Sequence, residues 1–279
     1  MNQQPSPSAA IPALRSAEFD SADPRAVRLA IREGRFTGFT NLLARDFVQG
    51  NLISVPAAFA DAFEAYARAN PQALPLLGRG EQGRRDMPAI ARDMDIARDC
   101  GGYMVFRDGE LVETPRDASP YWRDDLVPFV VGCSFSFEAL LQRHGVRLRH
   151  LEEGDVSAMY ETTRDTVPVG PFHGRLIVSM RAMSPQDAIR ATLISAAHPG
   201  FHGAPVSLAL PGDLGITDLQ HSYGGHGMTR VLPGEIPVFW ACGATGQNAV
   251  RAARLPIAIT HHKAHMVVTD LPLPEDRLP

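Results

Sequence analysis

The chain of 279 residues is 44% hydrophobic and 21% charged, with a formal net charge of -4. That balance gives no general basic field for nucleic acid, and no local run of Lys or Arg restores one. No stretch approaches the ~18 apolar residues of a membrane span. The start, MNQQPSPSAAIPALRSAEFDSADP, lacks both the basic and the apolar segment of a signal peptide. The expectation is a soluble, cytoplasmic globular protein.

Residues 1 to 20 read as a mobile tail. The first helix is signalled by Asp23 as cap, Pro24 at the first helical position, an apolar stripe of Ala26, Leu29 and Ala30, and Gly34 as stop. A second helix starts near Pro56, carries Phe59, Phe63 and Tyr66 at helical spacing, and ends at Asn70-Pro71. YMVFRDGELVE reads as a hairpin turning at Arg107-Asp108-Gly109. An apolar strand LVPFVV then runs into a helix that stops at Gly145, and a loop-rich stretch leads to Gly174. RLIVSM is a strand, and Ser184-Pro185 caps a helix to about Ala197. APVSLAL (Ala204 to Leu210) and IPVFWA (Ile236 to Ala241) read as short buried strands, and LPIAIT and HMVVTD close the chain. Strands alternating with helices, without a repeat, define an α/β or mixed architecture.

Two places have one design. FVVGCSFSFEALLQRHG passes from a buried strand through Gly132-Cys133-Ser134 into a helix, and PVFWACGATGQNAV does the same through Cys242-Gly243-Ala244-Thr245. Such a corner presents free N–H groups and the positive end of a helix dipole, which suits an anion. In an open α/β sheet these corners can face one pocket. Ser134 or Ser136 as helix caps, with Glu138 in the first turn, would account for the first corner without any ligand. A thiol at a helix N-terminus can also be an activated nucleophile, although a buried cysteine is often only a packing residue. The three cysteines, Cys100, Cys133 and Cys242, have no disulfide or zinc spacing.

Of the ten histidines, His261 and His265 stand four apart, but His262 occupies the place where a zincin has Glu, so no metal site is expected. His150, His173 and His202 sit in or near glycine-containing loops, where catalytic groups tend to be carried. With Arg149, Tyr160 and Arg181 they make a set of acid, base and anion-binding candidates.

The runs WRDDLVPFVVGCSFSFE, Arg149-His150, MYET, FHGRLIVSMR, HGAPV, GEIPVFWACGAT and THHKAHMVVTD closely resemble a widespread bacterial hydro-lyase family related to mammalian mitochondrial D-glutamate cyclase. The likeness spans roughly Pro24 to Leu271. It implies a larger three-layer α/β domain (residues 21–140 and 213–279) and a smaller α+β domain contributed by the middle of the chain (141–212). It also implies elimination of water from a small carboxylate, most concretely cyclisation of D-glutamate to 5-oxo-D-proline, and no cofactor. Four departures stand out: Ala97 where an Arg is expected, TNLLARDFVQGNL in place of a small, glycine-containing segment, Gly246 for Pro, and Lys263-Ala264 for Pro-Gly. They point to a divergent member with its own specificity.

Lactam formation needs a folded conformer, a deprotonated amine, donors for the oxyanion and a proton for the departing oxygen. On this reading the substrate-binding groups are Cys133, Ser134, Ser136, Arg149, Arg181, Cys242 and Thr245. His150, His173 and His202 are the acid/base candidates, Glu138 or Asp218 the orienting or basic group, and Tyr160 a donor to the leaving oxygen. The same parts would serve a β-elimination from a hydroxy acid. A carboxylate-binding protein without turnover would need only the anion-binding subset, and a partner-binding scaffold none of it. The expected partner is a small-molecule carboxylate, with a homo-oligomer favoured by the habit of soluble enzymes.

Overall fold

The computed structural model describes Phe19 and residues 23–274. The tail expected over residues 1 to 20 therefore lies outside the described residues except at Phe19, which is buried edge-on to Phe36.

The larger sheet is organised around β1 (Phe47–Pro56), a strand that periodicity alone does not reveal. Nearly all of it is buried, including Gln49, Asn51 and Ser54, so the polar residues that break its pattern are interior ones. On one side β1 pairs with β5 (Leu126–Gly132), and on the other with β10 (Ala258–His261) and β11 (Val267–Pro272). β2 (Leu76–Arg79) extends the sheet beyond β5, while the hairpin of β3 (Tyr103–Arg107) and β4 (Glu110–Glu113) extends it beyond β10. The expected hairpin turn is there: Asp108 and Gly109 both have positive φ, at 50° and 85°.

Alternation sorts the side chains of this sheet onto two buried faces. Ile53, Val55, Phe129 and Val131 face α2 (Ala57–Ala69) and α6 (Ala244–Ala252), meeting Phe63, Tyr66 and Val250. Leu52, Val130 and Ile259 face the irregular segment that carries Met87, Ile90, Met94 and Ile96. Ala97 is fully buried in this second cluster, so the position where the family resemblance calls for an arginine is a core position here. α1 (Pro24–Arg32), capped by Asp23 and Pro24 as expected, packs near β11 through Val27, Ile31 and Val268.

The second sheet has the order β6 (Ala158–Asp165), β7 (Arg175–Met183), β9 (Ile236–Ala241), β8 (Ser207–Leu208). Trp240 and Val238 face α3 (Ser134–Arg143) and α5 (Pro185–Ala196), while Phe239 faces Tyr160, Leu214 and Ile216. Phe172 and Ala241, from segments of this sheet, join the core of the larger one. Two expectations change. The strand read over Ala204 to Leu210 shrinks to two paired residues because Ala209 turns to φ 62°, and the loop-rich stretch before Gly174 contains both α4 (Arg149–Glu152) and β6. All strand pairs within the two sheets are antiparallel, so the mixed helix-and-sheet fold owes its site to something other than a parallel-sheet switch point.

Candidate active site

That something is Asn51. Its Nδ2 donates to Gly132 O at 2.7 Å, where β5 ends, and its side chain fills the space that a Cβ on Gly243 would need, 2.3 Å away, where β9 has ended. One buried amide thus holds the two strand-to-helix corners against each other. Between them lies a cavity of about 60 Å³. Cys133, Ser134, Cys242 and Ala244 come from the corners, Asn51 from β1, Ser179 from β7, and Gln247, His261 and Lys263 from α6 and the end of β10. Val156, Met159 and Met266 add apolar wall. This is well short of the ~300–1,000 Å³ of drug-sized sites, which limits the ligand to a compact molecule.

Directly behind Ser134 is a buried charge network. Arg181 donates through Nε to Glu138 Oε1 at 2.9 Å and through Nη2 to the same oxygen, while His150 Nε2 lies 3.0 Å from it. Two further guanidinium hydrogens reach hydroxyls: Nη2 donates to Ser134 Oγ at 2.9 Å and Nη1 to Ser179 Oγ at 3.0 Å. The guanidinium carbon sits 4.8 Å from the Phe137 ring centroid and 5.3 Å from that of Trp240. Burial by itself would push the Glu138 carboxyl up, but Arg181 and His150 outweigh it and hold it down at about 2. Glu138 Oε2 has no hydrogen-bond partner among the described residues.

The chemical content lies in the two serines. Each accepts from the guanidinium, so each hydroxyl proton points elsewhere, and both serines line the cavity. A cation that cannot itself reach the cavity thereby presents two polarised O–H donors to it. His261, which lines the same cavity, is buried, and burial holds its imidazole down at about 4, neutral at ordinary pH. Its Nδ1 lies 3.2 Å from both the N and the O of Leu52, and Gln247 Nε2 approaches Nε2 at 3.4 Å. Leu52 N–H donates to Nδ1 and the Gln247 amide lies against Nε2, so both ring nitrogens face N–H groups, which suits a neutral imidazole rather than an imidazolium.

Several sequence expectations move. The cap of α3 is Cys133, whose Sγ accepts from Phe135 N at 3.5 Å; Ser136 instead accepts from Gln49 N at 3.0 Å, tying the helix to β1. Glu138 is past the first turn of α3 and serves Arg181 rather than the dipole. Burial pushes the Cys133 thiol up to about 12 and that of Cys242 upward too, so the helix N-termini do not yield an activated thiolate. Thr245 is committed to β7: its Oγ1 accepts from Ile177 N at 3.0 Å.

Others stand away from the cavity wall. Arg149 is clamped by Glu235 at 2.8 Å, and Tyr160 donates to Leu219 O at 2.7 Å, with burial pushing its phenol up to about 12. His202 is buried against Gln72 O at 2.9 Å and held down at about 4. His173 is exposed, and Asp218 is an exposed carboxylate lying 2.6 Å from His221. The structure therefore brings together Cys133, Ser134 and Cys242 at the wall, with Arg181, Glu138 and His150 behind it. Asn51, Ser179, Gln247, His261 and Lys263 join them unforeseen. Of these, two carry a sequence signal: His261 by its spacing to His265, which suggests metal rather than this cavity, and Lys263 as a departure from the family pattern. Among the described residues no group of three or more His, Cys, Asp or Glu is placed to hold a metal ion, and no helix is long and apolar enough to cross a membrane.

The chain that builds these two antiparallel sheets and this cavity is similar in sequence to a set of bacterial proteins. A relative from Methylobacterium radiotolerans, named "Putative hydro-lyase", is 46% identical over 97% of each chain. One of the same name from Rhizobium johnstonii is 47% identical over 90% of this chain and 93% of its own, and one from Verminephrobacter eiseniae 46% over 93% and 94%. The model of the D-glutamate cyclase family matches residues 127–270, which include both corners. The chain belongs to the D-glutamate cyclase family.

Proposed function

We propose that this protein is a hydro-lyase that closes D-glutamate, or a closely related amino diacid, to its five-membered lactam in the cavity between the corners. The observation that carries the reading is the pair of Arg181-oriented hydroxyls, Ser134 and Ser179, lining one compact cavity together with a neutral imidazole, His261.

Ring closure joins the substrate amine to the carbon of its own side-chain carboxylate. A C–N bond forms, a tetrahedral oxyanion appears, and a C–O bond breaks to release water. The two protons that the ammonium sheds are the two that the departing oxygen takes up. A single neutral base that accepts and returns a proton meets that need, and His261 is assigned the role. The Ser134 and Ser179 hydroxyls donate to the oxyanion, at sites already polarised by Arg181 and needing no rearrangement as charge develops. Glu138 neutralises Arg181, and His150 lies against the same oxygen, so the guanidinium stays fixed without drawing the substrate's carboxylate out of place. The cavity's small size favours the folded conformer over the extended one, which is the entropic part of the task.

The test is an NMR time course of the purified protein with D-glutamate, L-glutamate and 5-oxo-D-proline. Conversion of D-glutamate to 5-oxoproline, lost in His261→Asn, is the expected result. A folded protein that converts none of the three in either direction would overturn the reading.

A further inference from the structure

One cation in the cavity wall has no counter-charge among the described residues. Lys263 Nζ is half-buried, donates to Tyr223 O at 3.2 Å and lies 5.3 Å from the Tyr223 ring centroid. No Asp or Glu lines the cavity with it. An ammonium carries three donors, and the carbonyl takes one. Most buried or half-buried cations find a carboxylate, as Arg28, Arg32, Arg149 and Arg181 do here.

The backbone goes to some length to put it there. Lys263 sits in the turn between β10 and β11, where Ala264 adopts φ 59°, a conformation that favours glycine. That turn is pinned from three sides: Thr40 N donates to Ala264 O at 2.9 Å, Met266 N to Thr40 Oγ1 at 2.8 Å, and His262 N to Gly102 O at 2.8 Å. On the far side the ammonium packs directly on Gly224, where a Cβ would lie 1.4 Å from Nζ and would make the lysine swing aside.

We infer that Lys263 is the carboxylate anchor of the cavity, holding a substrate carboxylate other than the one that reacts at the Ser134 and Ser179 hydroxyls. The substrate class is then an acid with two carboxylates, and Lys263 is a specificity-determining residue. The inference rests on the cavity being the site proposed above, and its test needs no turnover.

Binding of glutarate, a five-carbon diacid with no amine to cyclise, is measured by titration calorimetry to the wild-type protein, Lys263→Arg, Lys263→Gln and Lys263→Met, at low and raised salt. A melting curve for each variant checks that it is folded, and the Gln variant serves if the Met variant is not. The expected result is a Kd raised about tenfold or more in the neutral variants, the loss of one charge-assisted hydrogen bond, and largely restored by Arg. Salt should weaken wild-type binding more than that of the neutral variants. Unchanged glutarate binding in a folded neutral variant, or no binding of glutarate by the wild-type protein, would overturn the anchor. Lys263-dependent glutarate binding without D-glutamate conversion would keep the anchor and sink the cyclase reading; conversion with a KM indifferent to Lys263 would do the reverse.

Discussion

The two strand-to-helix corners share a chain pattern, an apolar strand followed by a cysteine and a helix rich in small residues, but differ in what stands behind them. Behind the first is a buried charged trio, Arg181, Glu138 and His150, whose outward hydrogen bonds end on hydroxyls that line the cavity. Behind the second is neutral structure: Thr245 bonded to Ile177 of β7, Cys242 N donating to Ile177 O, and Gly243 packed on Asn51. The same local design thus presents guanidinium-held hydroxyls to the cavity at one corner and docks α6 onto β7 at the other. Backbone pattern locates a corner, and the side chains two layers back decide its use.

The comparison breaks most visibly at Arg181. Arg181→Leu leaves Glu138 buried without its counter-charge and should cost about 3–5 kcal/mol in urea unfolding. The double variant Arg181→Leu/Glu138→Leu should recover a large part of that loss while remaining inactive. Equal destabilisation by the double variant would show that the trio is not one electrostatic unit.

Acid should come next in size. Burial holds His202, His261 and His265 down at about 4, against an ordinary 6.5, so between these values the unfolded chain takes up protons that the folded one refuses. Stability should fall as pH drops from about 6.5 to about 4. Glu138, held at about 2, should add a further loss below its ordinary 4.5. Urea midpoints across pH check this, and a flat profile between 6.5 and 4 would contradict the assigned neutral imidazoles.

At the second corner, Thr245→Val keeps the shape but leaves Ile177 N without its acceptor, at a cost of about 1–3 kcal/mol. If that corner is structural, the folded fraction should retain wild-type kcat. The smallest effect sits at the cavity's rim: Ala264→Gly relieves a left-handed residue and should stabilise by up to about 1 kcal/mol, seen as a small rise in Tm.

Much of the helical frame was legible because caps and stops are local chemistry: Asp23-Pro24, Ser184-Pro185 and the turn at Asp108-Gly109 each stand where the sequence put them. β1 was not, since a strand buried on both faces loses its alternation, and its Gln49 and Asn51 look like loop residues until their partners are known. The convergence of the two corners was readable as a possibility. The reason for it, Asn51, depends on contacts 80 residues apart or more in sequence. His173 and Asp218 show the opposite limit: polar residues of catalytic type suggest a site, but both are exposed and neither lines the cavity.

The central claim is that Arg181 turns Ser134 and Ser179 into oxyanion donors. Its most direct test is kcat for lactam formation from D-glutamate in Ser134→Ala and Ser179→Ala, alongside Tm and the glutarate Kd. The account predicts a fall of about 10²–10³ in kcat for each, while the Arg181 donor left without its acceptor lowers stability by about 1–3 kcal/mol and the variants stay folded. Folded variants that both turn over at the wild-type rate would contradict it.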